Sequence, residues 1–358
     1  MRALPMTAVT KGTSNWLAYS NKQTWLEFLG RFPVEMQDVY YLPDYVYLHE
    51  NETEQAVCFT YTEGSHAFLH CFLLSDIPGS NGYRDISTAY GYGGPIANTQ
   101  DVEFVLRAYR TFQEQAVEHR AIAERIRFHP LLNNHQLMAA ATDVRIIDVC
   151  PTVQVDIMQD EADRWSRVYS HANRKSINKA RREVTITFGR EQRLWDAYRE
   201  LYTETMDANA AQAFYYFPDV YYERMRRNLA EHYILAAAHI EGRIVSVLLL
   251  LLSPVFAHCH RIGTRREALS QGTNNLLHHE VIQWCKAQGI TTLLIGGGRG
   301  NSADDSLFRF KQQFSDVTGR FHVGECILDQ RVFARLCEES AATPRNGPRP
   351  ETLFRYRA

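Results

Sequence analysis

Short apolar runs rich in aromatic and β-branched residues, each bounded by polar or glycine-containing turns, recur along the chain and read as strands. In the first half they lie at 46–49, 55–61 and 66–75. The last two flank Thr62-Glu63-Gly64-Ser65, a hairpin turn signal. A short helix is expected over 22–31 around Trp25, Leu26 and Phe28. A longer one is expected over 101–119, where Val102, Phe104, Val105, Ala108 and Phe112 keep a 3.6-residue period. Strands near 122–128 and 144–156 close this half. The second half opens with helices expected over 161–182, 191–206 and 219–230. Strands follow at 233–240, 243–252 and 255–262, with Glu241-Gly242 as the first turn. A helix over 271–287 ending at Gly289, a strand at 291–295, a short helix at 304–314 and a strand at 320–328 complete the pattern. The two halves share one order, antiparallel strands followed by a helix and a further strand, which suggests a structural duplication.

The chain has 358 residues, which suits two domains. The pattern places them at 1–158 and 159–335, with an irregular tail over 336–358. Lys+Arg 39 against Asp+Glu 41 argues against a globally basic nucleic-acid binder and leaves room for a local basic patch. Seven cysteines, an odd count without a C-x-x-C pair, argue against a disulfide framework or a zinc knuckle. The beginning of the chain lacks an apolar signal core. The longest apolar stretch, 244–252, falls far short of the ~20 residues of a membrane helix. A reducing, cytoplasmic setting without a transmembrane segment is the expectation.

Candidate chemistry gathers in five places. Gly296, Gly297 and Gly298 follow a buried strand without the sequence of a Walker A loop or a dinucleotide fingerprint. They form either a tight turn or a backbone that a ligand approaches closely. Beyond them Lys311 projects from the short helix toward the glycine loop. Residues 167–182 carry six Lys/Arg and no acid; His171, Lys175, Lys179 and Arg182 would share one helix face. That face is either solvated or an anion site for a pyrophosphate or RNA backbone. Aromatic residues cluster at Phe214-Tyr215-Tyr216-Phe217 and at Tyr90 and Tyr92, offering apolar rings with polar tips. His258 and His260 would share a strand face with Cys259 pointing away, but a third ligand is not evident and no metal is assigned. No G-x-S-x-G elbow or cysteine nucleophile signature is present.

Together, in order and spacing, five stretches resemble the FemAB-like branch of the GNAT acyltransferases, including the BioF2-like domain. They are D-x-x-T-x-Y-G-Y-x-G-P at 85–95, N-R-K-S-I-N-K-A at 173–180, T-M-D-x-x-x-A-x-x-F-Y-Y-F at 205–217, Asn274-Asn275-Leu276-Leu277, and L-I-G-G-G…D-D-S-L-F-R-F-K-Q-Q-F at 294–314. The resemblance covers most of 40–330. It implies an α/β (α+β) fold of two tandem GNAT-like domains, each a mixed, mostly antiparallel sheet flanked by helices.

The resemblance implies transfer of an acyl or aminoacyl group to an amine, with Lys311 at the reaction centre; among the residues themselves, Asp305 is one candidate for a base. Asp304, Glu280 and His260 are further candidates for a base. Lys175 and Lys179 would hold acceptor phosphates, and Asp85, Tyr90, Tyr92, Tyr215 and Tyr216 would line the acceptor site, in one cleft shared by the two tyrosine pairs. Gly272, Asn274, Asn275 and the glycine triplet would contact the donor. The chain departs from the peptidoglycan enzymes of the family: it has no coiled-coil arm, and its first-half motif differs. The expected activity is therefore N-acyl transfer to an amino sugar or cell-envelope polysaccharide precursor. The co-substrate is acyl-CoA or an acyl carrier protein, with aminoacyl-tRNA as the alternative; no permanently bound cofactor and no DNA partner are expected. A non-catalytic saccharide- or nucleotide-binding protein is the competing reading.

Overall fold

A computed structural model describes residues 12–298, 305–342 and 353–357. The chain divides into two units. The first comprises the described residues of Met1–Met36, Tyr40–Ile147 and Val323–Ala358, and the second Gln37–Val39 and Asp148–His322.

Unit 1 begins with β1 (Thr13–Ala18), α1 (Lys22–Leu29) and α2 (Pro43–Tyr47), then the hairpin of β2 (Glu54–Glu63) and β3 (His66–Asp76). β4 (Arg84–Ser87), β5 (Ile96–Ala97), α3 (Val102–Glu118), β6 (Ala121–Arg127) and the start of β7 (Arg145–Asp156) follow. β1 to β4 pair as antiparallel neighbours, and α3 crosses over to place β6 parallel to β4. The Asp101 carboxylate accepts from the Glu103 and Phe104 amides and so caps the first turn of α3. The apolar face of α3 sets Phe104, Val105, Ala108, Tyr109 and Phe112 into a core with Phe59, Phe68 and Phe72. A polar cluster is sealed within this core. Glu124 accepts hydrogen bonds from Tyr109 Oη at 2.6 Å and pairs with His70 Nε2 at 2.6 Å.

In unit 2, α4 (Glu161–Asp163) runs into a wide π-turn, Arg164–Val168, followed by α5 (His171–Ala180) and β8 (Val184–Gly189). Then come α6 (Gln192–Ala208), α7 (Asp219–Asn228), β9 (Tyr233–Ile240), β10 (Arg243–Leu252) and β11 (Phe256–Thr264). α8 (Thr273–Ala287), β12 (Thr292–Gly297), α9 (Ser306–Lys311), β13 (Thr318–Ile327) and α10 (Gln330–Ala342) complete the chain, the last two ending in unit 1. β8 to β11 are antiparallel neighbours, and α8 crosses over to place β12 parallel to β11. Each unit thus has the expected architecture: an antiparallel run, a helical crossover and a parallel partner.

The boundaries differ from those expected. β7 begins in unit 1, but its Thr152–Asp156 part pairs antiparallel with β12. β13 begins in unit 2, but Val323–Ile327 pair antiparallel with β6. The last part of β7 thus belongs to the sheet of unit 2, and the last part of β13 to that of unit 1. The tail from 336 is also not wholly irregular. α10 continues to Ala342 and buries Val332, Phe333 and Leu336, while Tyr356 is buried in the same cluster. The run at 46–49 is not a strand: Pro43 stands in the first turn of α2, where its fixed φ and missing N–H suit a helix start. The helix expected over 161–182 breaks at Tyr169-Ser170, because the Ser170 hydroxyl caps a new helix by accepting from the Asn173 amide.

Candidate active site

The glycine triplet lies at the end of β12 in unit 2. The pairing of β12 with β7 shifts register between Leu294 and Gly296, and Gly296 takes φ +90, a conformation open to glycine. A Cβ on Gly297 would sit 2.8 Å from Cys150 Sγ, and one on Gly298 would sit 2.6 Å from the Asp305 carboxyl carbon. The triplet is tight because its surroundings close on the backbone. Asp305 caps α9 by accepting from the Phe308 amide at 2.9 Å. The helix aims Lys311 back at the strand, and its ammonium donates to the Gly297 carbonyl at 2.7 Å. Gly296, Gly297, Gly298, Asp305 and Lys311 are therefore brought together. Asp304 lies outside the described residues.

This point coincides with an opening in the sheet. The parallel ladder of β11 and β12 covers only Phe256 to His258 opposite Thr292 to Leu294, although both strands run on. On its other side β11 carries a bulge: Leu249 pairs with Arg261 and Leu250 with Cys259, so His260 falls out of register. The bulge also separates the two histidines. His258 Nε2 meets the Asp38 carboxylate at 2.8 Å, while His260 Nε2 lies 3.5 Å from Tyr221 Oη.

Burial lowers the Lys311 pKa, opposed in part by the Asp305 carboxylate. Burial pushes the Cys259 thiol up to about 12, so it is protonated and a poor nucleophile. His278 on α8 completes the surroundings. Its ring stacks on Phe314 at 5.2 Å and meets Phe310 edge-on, and its Nδ1 lies 2.8 Å from the Asn274 carbonyl. Burial pulls its pKa down to about 4, with the Lys311 charge acting in the same sense. The imidazole is thus neutral, and Nδ1–H donates to that carbonyl. Cys150, Cys259 and His278 come from three separate elements and carry no local motif; only the H-C-H triplet drew attention to one of them.

The loop before α8 is fixed from outside. Gly272 takes φ +77, and a Cβ there would lie 2.6 Å from the Ser176 carbonyl of α5. Lys179 donates to the Ser270 carbonyl at 3.2 Å. The Asn274 carboxamide oxygen accepts from Ser246 Oγ and Thr264 Oγ1, both at 3.1 Å. Asn275 donates to Asn173 Oδ1 at 2.9 Å, and Asn173 donates to the Gln313 carbonyl at 2.8 Å. The two asparagines expected at the donor therefore have side chains engaged in fastening α8 to the sheet and to α5. In the basic segment, Arg174 turns inward onto the carbonyls of Trp165, Ser166 and Tyr169, and the buried Arg164 onto those of Asp156 and Gln159. Lys175, Lys179 and Arg182 remain exposed. Glu280 pairs with Arg181 at 3.7 Å.

The aromatic segment after α6 lies over β11. Phe217 covers the Arg261 guanidinium at 3.6 Å, with Tyr221 and Tyr202 nearby. Tyr215 and Tyr216 are exposed, and Tyr216 Oη donates to Asp207 at 2.7 Å. In unit 1, Tyr90 and Tyr92 are half-buried. The Tyr90 carbonyl accepts from Tyr45 Oη at 2.6 Å, and the Tyr92 ring packs edge-on against Tyr40 and His129. Asp85 is not placed to meet a substrate. It is 1% exposed, and its carboxylate is taken by Arg357 and by Tyr356 Oη at 3.0 Å.

Residues 167–312 match a family model described as an acetyltransferase (GNAT) domain. This stretch is a GNAT acyltransferase domain. It contains the β11–α8–β12 crossover and ends just after Lys311. The crystal structure of FemX superposes with a TM-score of 0.71 at 13% identity, covering 90% of this chain and 99% of that one. L-PGS from Bacillus licheniformis gives 0.56 at 14%, covering 84% and 90%. A tandem GNAT protein from the clavulanic acid biosynthesis pathway gives 0.53 at 10%, covering 89% and 99%. At these identities the likeness is one of fold, two GNAT-like units in tandem. No curated protein matches in sequence. Among the described residues, no helix is long and apolar enough to cross a membrane.

Proposed function

We propose that the GNAT domain transfers an acyl group from an acyl-CoA or acyl-carrier donor to an amine of an amino sugar or cell-envelope polysaccharide precursor, with Lys311 at the reaction centre. The observation that carries this reading is the position of the Lys311 ammonium, on the Gly297 carbonyl just past the point where β11 and β12 cease to pair. The amine nitrogen attacks the acyl carbonyl carbon, a C–N bond forms, the C–S or C–O bond to the donor breaks, and the amine gives up its proton. An ammonium has three N–H donors. One is held by Gly297, and the other two are available to the oxyanion that develops in the tetrahedral intermediate. A protonated Cys259 and a neutral His278 fit direct transfer without a covalent enzyme intermediate. The test is a turnover assay of wild type and Lys311→Met with acyl-CoA, acyl-carrier and aminoacyl-tRNA donors against amino-sugar acceptors. Failure of every donor with every amine would overturn the proposal.

A second reading, an aminoacyl-tRNA donor, draws on α5. The Ser176 carbonyl closes on Gly272 and the neighbouring asparagines are engaged, so the loop has little room for a CoA pyrophosphate. Outside it, Lys175, Lys179 and Arg182 present exposed positive charge suited to a polyanionic carrier. On this reading, Lys175→Glu with Lys179→Glu raises KM for the donor at least tenfold at low salt and changes kcat little. The difference narrows at high salt as the charges are screened. An unchanged KM would assign α5 a purely structural role.

A further inference from the structure

Cys58 and Cys71 occupy directly opposite positions on β2 and β3 in unit 1. Both are buried, at 0% and 3% exposed, and both are free thiols. Directly opposed residues of an antiparallel pair have Cα atoms about 4.5–5.5 Å apart, within the 4.4–6.8 Å range of disulfides. Their side chains share a face of the hairpin. Cys259 and Cys326 face Leu250 and Glu124 in their strand registers rather than another cysteine.

We propose that Cys58 and Cys71 are a redox modification site, a thiol pair that closes to a cross-strand disulfide when a low-molecular-weight disulfide such as oxidised glutathione is present. One thiolate attacks a glutathione sulfur to form a mixed disulfide and releases one glutathione thiol. The second thiolate then displaces the other glutathione, forming the Cys58–Cys71 bond. The protein loses two protons and two electrons, and oxidised glutathione is reduced to two thiols. Burial raises the Cys58 pKa, so exchange is slow in the closed native state and proceeds when β2 and β3 open or before they have paired. The pair also borders a candidate acceptor loop. Cys71 Sγ donates to the Tyr41 carbonyl at 3.7 Å, and Tyr41 Oη donates to the Gly93 carbonyl of the Tyr-Gly-Tyr-Gly-Gly-Pro segment.

The full chain is refolded from guanidinium with either oxidised glutathione or dithiothreitol, free thiols are alkylated, and the product is read by intact mass and peptide mapping. The expected product of oxidative refolding has lost the mass of two hydrogens, carries a crosslink joining the β2 and β3 peptides, and leaves the other cysteines alkylated. Its melting temperature is several degrees above that of the reduced protein, because the bond constrains the unfolded chain. Cys58→Ala and Cys71→Ala each lose both the crosslink and the temperature rise. If either variant fails to fold, the wild-type peptide map decides alone. Alkylation of Cys58 and Cys71 after oxidative refolding, or a crosslink to any other cysteine, would overturn the proposal.

Discussion

Lys311→Ala is expected to fold and to lose kcat/KM by about 10²–10³-fold, the usual loss on removing one oxyanion donor. Its folding should not suffer, because burial lowers the pKa of this lysine: the folded state disfavours the ammonium relative to the unfolded chain. For a depressed lysine the cost to stability is present while the group is charged in the fold and is relieved as pH rises through the folded and then the unfolded value. At neutral pH, removing the charge therefore leaves the melting temperature equal to or above that of wild type. The same shift fixes the pH dependence of activity. Oxyanion stabilisation uses the charged form, so wild-type kcat should decline as pH rises through the lowered Lys311 pKa, below the ordinary value of 10.5. That limb should be missing from the residual activity of Lys311→Ala. Full turnover by this variant would remove Lys311 from the reaction centre.

What could be read from the sequence was what neighbouring residues determine. α3 follows from one apolar stripe. The β9–β10 hairpin follows from Glu241-Gly242, both of which take positive φ in the turn. Lys311 and the glycine triplet are close in sequence, and the Lys311 ammonium meets the Gly297 carbonyl. β8 was also within reach, since Val184, Ile186 and Phe188 alternate with polar residues, but six residues between two expected helices make a weak signal. The unit boundaries were not within reach, because β7 and β13 each divide between two units and only strand pairing shows which part belongs where. The same limit applies to His278, Cys150 and Cys259, which meet Lys311 through tertiary packing. At Asp85 the motif suggested a substrate ligand, yet a guanidinium 272 positions away takes the carboxylate.

That pairing carries the second large expected effect, on stability. Asp85 accepts from Arg357 Nε at 2.5 Å and Nη2 at 2.9 Å, and the same guanidinium reaches the Ser75 and Asp76 carbonyls. Burial raises the Asp85 pKa, only partly offset by Arg357 and Tyr356. The carboxylate is therefore costly to keep charged in the fold, and Arg357 makes that charge tolerable. Arg357→Ala should destabilise unit 1 by about 3–5 kcal/mol, the cost of leaving one member of a buried pair uncompensated. A raised carboxyl pKa contributes stability that is complete below the unfolded value and lost as pH rises through the folded one. With its partner gone, Asp85 is raised further, so the deficit of Arg357→Ala should be largest near neutral pH and shrink toward acid as Asp85 takes up its proton. Asp85→Leu combined with Arg357→Met removes both charges and should recover much of the loss. Urea unfolding of the variants at neutral and acid pH measures all three. A deficit that does not vary with pH, or a double variant no better than Arg357→Ala, would mean that Arg357 acts through packing rather than through charge.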